Sequence, residues 1–319
     1  MILKNLQTER FVAVYRKYGI FFVFVALFIA SAAINPIFLN SQNLMNILRQ
    51  ISVVTILACA QTMLIVSGMI DLSAGLVTTM AMVFTAGVLA GTGSVPLAVL
   101  TGISVGAGAG FVNGFLVTRY RLPPFIATLA MANVAQGIVL VYTNGQTIGG
   151  VGRLRWLGLG NVLGIPVPVI LMLLVVALVY ALMRFTTLGL HMYAIGGNEK
   201  TAVACGINVN GKKRLIFTIS GALVGLAGVL LTARLMAGLP NVGTGYEFEA
   251  ITAVIIGGTS FLGGIGTVLG TLVGAMIVGM INNMLNLLGV PTQYQLIVKG
   301  VIIAFAVIID MKTKSTRSI

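Results

Sequence analysis

Ten apolar runs follow one another with only short polar breaks, and this repetition restricts the chain to a helical membrane protein. They cover roughly 18–35, 50–67, 73–91, 95–117, 125–142, 167–184, 214–236, 249–260, 265–288 and 293–310. A crossing helix needs about 20 apolar residues, fewer where it is broken. The eighth run is short, and only the polar step Ser67–Ser73 divides the second from the third. The runs are continuous rather than alternating, which excludes a β-barrel. Charged residues make up 8% of the 319, against about 25% in soluble domains, too few to coat a soluble globule. The fold expected is an all-α polytopic membrane protein of about ten transmembrane helices, one domain over 1–319.

The net charge of +13 sits between apolar runs and therefore reports orientation rather than nucleic-acid binding. With the N-terminus inside, the inner segments hold Lys4, Arg10, Arg16, Lys17, Arg119, Arg121, Arg184, Lys200, Lys212, Lys213, Arg214, Lys312, Lys314 and Arg317. The outer segments hold Arg49, Arg153, Arg155 and Arg234, while Lys299 lies within the last run. Basic residues favour the cytoplasmic side, so both termini are expected there. A cleaved signal peptide is the rival reading of the first run, with Ala30-Ser31-Ala32-Ala33 as the small residues. It would leave nine spans.

Gly102, Gly106, Gly110 and Gly114 form a stripe on the fourth run, and Gly266, Gly270 and Gly274 another on the ninth. Small residues at this spacing let helix backbones approach closely. The stripes share a spacing of 168 residues and end near Asn113 and Asn282. Their expected orientations are opposite, which points to an inverted internal repeat.

Several chemistries lack their residues. His191 is the only histidine, Cys59 and Cys205 give no metal spacing, and no G-x-G-x-x-G occurs. Gly206-Ile-Asn-Val-Asn-Gly-Lys-Lys213 imitates a P-loop but puts Lys where a magnesium-binding hydroxyl is required. The acidic residues are Glu9, Asp71, Glu199, Glu247, Glu249 and Asp310. Only Asp71 reads as a candidate for an intramembrane ion site, at the inner end of the second span. Its alternative role is to cap the helix that follows.

The inner loop 185–213 is the longest on its side. Asn198 can cap a helix, Glu199 suits its first turn, and Gly206 can stop it. Such a helix either docks a cytoplasmic partner or rests on lipid headgroups.

Three stretches resemble one family. They are Ser67-Gly-Met-Ile-Asp-Leu-Ser-Ala-Gly75, Ala194-Ile-Gly-Gly-Asn-Glu-Lys-Thr-Ala-Val-Ala-Cys-Gly-Ile-Asn-Val209, and Ala253-Val-Ile-Ile-Gly-Gly-Thr-Ser-Phe-Leu-Gly-Gly-Ile-Gly-Thr-Val-Leu-Gly-Thr-Leu272. The last continues into Asn282-Asn-Met-Leu-Asn-Leu-Leu-Gly-Val290 and Ile297-Val-Lys-Gly300. The chain resembles the permease subunit of ribose-type sugar ABC importers, a family that includes xylose, galactose and autoinducer-2 permeases. The likeness covers nearly the whole chain, least before Ile34 and in 143–165.

The resemblance implies a multi-pass protein of the bacterial inner membrane that imports a monosaccharide and is not itself an enzyme. It implies a second permease copy or paralogue, a cytoplasmic ABC ATPase and an extracytoplasmic sugar-binding protein. ATP and magnesium would belong to the ATPase, with no cofactor or metal held by this chain. Gly197, Asn198, Glu199, Ala202, Gly206 and Ile207 would carry the coupling helix that docks into the ATPase. The small residues Thr201-Ala202-Val203 depart there from the family's pattern. Arg153, Arg155 and Trp156, in the longest outer loop, are candidates for binding-protein docking, or an ordinary interfacial aromatic with flanking charge. Gln61, Thr62, Asn133, Gln136, Asn282, Asn283 and Asn286 either line the sugar path or bond helix to helix. The rival functions are a branched-chain amino-acid permease and an ion-coupled secondary carrier.

Overall fold

The computed structural model describes residues 19–315. Lys4, Glu9, Arg10, Arg16, Lys17, Arg317 and the first residue of the first run lie outside the described residues. Each of the ten apolar runs falls on a helix. The order is α1 (Gly19–Ile34), α2 (Ser41–Val66), α3 (Ala74–Thr92), α4 (Val95–Arg119), α5 (Pro124–Thr143), α6 (Arg155–Leu159), α7 (Val167–Phe185), α8 (Thr187–Gly197), α9 (Glu199–Ala204), α10 (Val209–Leu235), α11 (Tyr246–Ile256), α12 (Val268–Leu287) and α13 (Thr292–Ser315). Short 3-10 turns occupy Pro36–Leu39 and Gly152–Leu154. A two-stranded hairpin pairs β1 (Asn161–Val162) with β2 (Ile165–Pro166). Among the described residues, seven helices are long and apolar enough to cross a membrane: α2, α3, α4, α5, α7, α10 and α12.

Several boundaries differ from the sequence reading, each for a local reason. The second helix starts at Ser41 rather than 50, because Asn40 accepts the Gln42 N–H at 2.9 Å and caps it there. The seventh run starts at Val209 rather than 214, where Asn208 accepts the Gly211 N–H at 3.0 Å. The helix of the eighth run, α11, ends at Ile256 rather than 260, since Gly257 is followed by Gly258 at φ +84°. The loop 185–213 is itself mostly helical, with Thr186 capping α8 ahead of the expected short helix.

The helix starts keep the spacing expected of a repeat. α2 and α10 begin at Ser41 and Val209, 168 residues apart, and α5 and α13 begin at Pro124 and Thr292, again 168 apart. The inner pairs, α3 with α11 and α4 with α12, follow with slightly larger offsets. The repeat is inverted, because the end of α2 and the start of α10 lie together. Val66 accepts the Gly264 N–H at 2.8 Å, against Gly196. Val209 packs with Ile195 and Ala202 on the same side. Each repeat lends its first helix to the other: α10 packs on α4 and α3, and α2 on α12 and α11.

The first glycine stripe makes the α4–α10 crossing. A Cβ at Gly106 would sit 2.5 Å from the Gly225 nitrogen and closer still to the Gly221 carbonyl, whereas one at Gly108 would meet nothing within 4 Å. The second stripe faces α11 and the turn after it: Gly274 abuts Ala253 and Gly270 abuts Gly257. α2 is the central helix, with 89% of its most apolar window buried, against 28% for α4 and for α5.

Between α2 and α3 the chain doubles back. Gln61 Nε2 donates to the Asp71 carbonyl, and the Asp71 N–H returns to Gln61 Oε1 at 3.4 Å. Asp71 therefore lies beside Gln61 rather than at the tip of the second span, and α3 starts from inside the bundle.

Candidate functional site

The end of the bundle at α8 and α9 holds the expected short helix. Asn198 caps α9 by accepting the Thr201 N–H at 3.1 Å, and Glu199 occupies its first turn. Its far end closes as a Schellman turn. The Ile207 N–H donates to Ala202 O at 3.1 Å and the Gly206 N–H to Val203 O at 2.9 Å, with Gly206 at φ +81°. Ala202 is buried against Ile195, Val209 and Ile207, so one face of this six-residue helix is fixed and the other exposed. Glu199 is held by Lys213 on α10 at 2.7 Å. Gly197 is exposed where α8 ends.

The platform beneath α9 is equally tied. Gly196 leaves no room for a side chain against Val66 O and Gly264 N. Tyr193 donates its hydroxyl to Gly266 O at 2.8 Å. α8, which leads into α9, is therefore tied both to the end of α2 and to the turn before α12. A groove runs beside α9, between Arg121, Pro123 and Pro124 on one wall and Glu199, Val203 and Lys213 on the other. The P-loop look-alike lies here as the cap and first turn of α10. His191, expected in a solvated loop, is on α8 and only partly exposed, its Nδ1 buried without a hydrogen-bond partner.

At the opposite end, the loop expected between 143 and 166 is ordered. Arg153 donates to the Gly93 carbonyl and pins the loop to the end of α3. Arg155 opens α6, and Trp156 is 60% exposed. Arg49 ties the hairpin to α2 through Asn161 Oδ1 at 3.2 Å.

The intramembrane polar candidates separate. Gln61 and Thr62 are buried and spent on packing: Gln61 holds the Asp71 segment, and Thr62 Oγ1 meets Thr271 Oγ1 at 2.7 Å. Asn283 exchanges hydrogen bonds with Asn43, and Asn286 accepts from Gln295. Asn133 is exposed on α5. Gln136 reaches Asn241 Oδ1 at 3.2 Å. Asn282 is buried, and its Oδ1 has no hydrogen-bond partner.

Asp71 closes the turn that leads into α3, accepting from the Ser73 N–H at 2.8 Å and the Ser73 hydroxyl, while Ser73 at the start of the helix makes no side-chain bond to its first turn. Asn113 completes the cluster by donating to Ser73 Oγ at 3.0 Å. Asp71, the one intramembrane candidate read from the sequence, has other carboxylates near it in the bundle. Glu247 is buried, and Glu249 pairs with Lys299. Glu249, Thr252, Asn282 and Lys299 line one small cavity. The signal available in the sequence was a lone lysine within the last run and two glutamates opening the eighth. Their meeting across 50 residues was not.

Residues 43–307 match the family described as branched-chain amino acid transport system / permease component. The chain is similar to ribose import permease protein RbsC of Bacillus subtilis (strain 168), 43% identical over 319 residues, covering 98% of this chain and 99% of that one. It is 40% identical over 286 residues to the protein of the same name from Escherichia coli (strain K12), covering 88% and 89%. It is 38% identical over 298 residues to D-allose transport system permease protein AlsC of the same strain, covering 92% and 91%. No solved structure matches the chain.

Proposed function

The chain belongs to the branched-chain amino acid transport system / permease component family, and from that premise we propose that it is the membrane-spanning subunit of an ATP-driven, binding-protein-dependent importer. Its cargo is a monosaccharide, ribose or a similar pentose or hexose, carried across the bacterial inner membrane. The observation that carries this reading is the end-to-end likeness to a ribose import permease. The family description favours a branched-chain amino acid as the rival cargo, but the relatives compared are named for sugars.

The chain works with a second permease, a cytoplasmic ATPase that holds the ATP and magnesium, and an extracytoplasmic sugar-binding protein. Gly197, Asn198, Glu199, Ala202, Gly206 and Ile207 form the coupling helix. ATP-driven closure of the ATPase pulls α9, and the Gly196–Val66–Gly264 junction passes the displacement to α2 and to the turn before α12. Arg153, Arg155 and Trp156 face the binding protein at the other end. The chain crosses about ten times with both termini cytoplasmic. Reporter fusions after Arg121 and Lys213 then read inside, and one after Arg155 outside. The same side for Arg121 and Arg155 would refute that topology.

The test of function is reconstitution with the ATPase and binding protein in proteoliposomes. D-ribose uptake should depend on ATP and resist excess leucine. Inhibition by leucine would favour the amino-acid reading. Glu199→Lys sets a cation against Lys213 and disfavours the helix start, and Gly206→Trp strains the turn. Both variants should abolish binding-protein-stimulated ATP hydrolysis. Wild-type stimulation in both would remove α9 from the coupling role.

A further inference from the structure

We propose that Glu249, Lys299, Asn282 and Tyr246 form a hydroxyl-binding station on the sugar's route, an inference that rests on the importer reading above. Glu249 Oε1 and Lys299 Nζ pair across α11 and α13. Charges inside a membrane bundle are costly and mark substrate or ion pathways. Asn282 lies five residues before the end of α12 and Lys299 seven residues into α13. At 1.5 Å per residue, that places them about 8 and 10 Å below the end opposite α9, where a sugar released by the binding protein would arrive.

Two cavities flank the pair. The smaller, of about 30 Å³, is lined by Glu249, Thr252, Asn282 and Lys299. The larger, of about 520 Å³, opens beside Thr244, Tyr246, Phe248, Glu249 and Lys299. That volume lies within the range of small-molecule sites, roughly 300–1,000 Å³. Asn282 is 3% exposed, and its unpartnered Oδ1 borders the smaller cavity. A buried amide oxygen without a partner is costly unless something donates to it.

The chemistry selects the ligand class. Glu249 and Lys299 are paired with each other, so neither is free to hold an ion. Glu249 offers acceptors and Lys299 donors to the larger cavity, and the same pair borders the smaller one with Asn282. A sugar hydroxyl both donates and accepts and suits such a set. Tyr246 and Phe248 supply ring surface to the larger cavity. α13 supplies Leu296, Lys299 and Gly300 to the wall of the larger cavity. A charged opening cannot face hydrocarbon without penalty, so water or a second permease covers it.

The experiment uses the importer with its ATPase and binding protein in proteoliposomes, carrying Phe248→Cys in a Cys205→Ser background. The remaining cysteine, Cys59, is buried. A charged, membrane-impermeant thiol reagent should label position 248, and D-ribose should slow labelling by about threefold, the factor 1 + [L]/Kd at about twice Kd. Adding Glu249→Gln with Lys299→Gln should abolish the protection. No labelling from water would mean the cavity faces lipid, and labelling indifferent to ribose would mean it holds no sugar. Either overturns the station. Should Phe248→Cys fail to assemble, Thr244→Cys reads the same cavity. D-ribose uptake by the parent complex separates the two readings: uptake without protection removes only the station, while a complex that imports no monosaccharide removes the importer reading itself.

Discussion

The two inverted repeats place related asparagines, Asn113 and Asn282, near the ends of their glycine stripes, and use them differently. In the first repeat Asn113 bonds Ser73, which bonds Asp71, whose backbone is held by Gln61. That cluster fastens a full-length α3 to its neighbours. In the second repeat the matching helix, α11, is only 11 residues long. Asn282 there borders a cavity shared with an ion pair rather than a turn. One topology thus supplies a sealed half that holds the bundle and an open half with room for a ligand.

The largest effect should come where the repeats behave alike, at the glycine stripes. Gly106→Leu drives a side chain into the α10 backbone and Gly274→Leu into that of α11. Each should cost at least about 1–3 kcal/mol, seen as lost monodisperse yield and a lowered midpoint of thermal unfolding in detergent. Gly108→Leu points into open space and should change neither. A tolerated Gly106→Leu would show that the crossing is looser than its twin.

Next come the two polar clusters, where the repeats should part. Asp71→Ala leaves the Ser73 N–H buried and unpaired, at a cost of about 1–3 kcal/mol. The double variant Glu249→Gln with Lys299→Gln should cost less, because removing both charges also removes their desolvation. Lys299→Gln alone should cost more than the double variant, since it strands Glu249. Chemical denaturation of the purified chains measures all three. If the double variant proved as damaging as Asp71→Ala, the second cluster would be as structural as the first.

The smallest effects are expected at α9, which neither repeat buries fully. Gly206→Ala forces a side chain into the left-handed region, about 1–2 kcal/mol for an L-residue, and should speed amide exchange in α9 alone. Lys213→Ala removes a pair whose Glu199 is 53% exposed. It should alter thermal stability by no more than about 1 kcal/mol.

Much of this was legible in the chain itself, because the signals involved are local. Apolar runs gave the helices, since hydrocarbon forces a backbone to satisfy its own hydrogen bonds. Asn198 and Gly206 marked the ends of α9 because caps and left-handed turns are made by neighbours in sequence. The stripe on α4 announced a close crossing because small residues let two backbones approach. The tertiary structure decided the rest. It turned 67–73 back against Gln61, so that Asp71 holds Ser73 ahead of α3, and spent Thr62 on Thr271. It also joined Glu249 to Lys299 beside Asn282. Periodicity tells which face of a helix is polar, but the partner of a buried charge lies wherever the fold brings another helix. Here that partner stood 50 residues away.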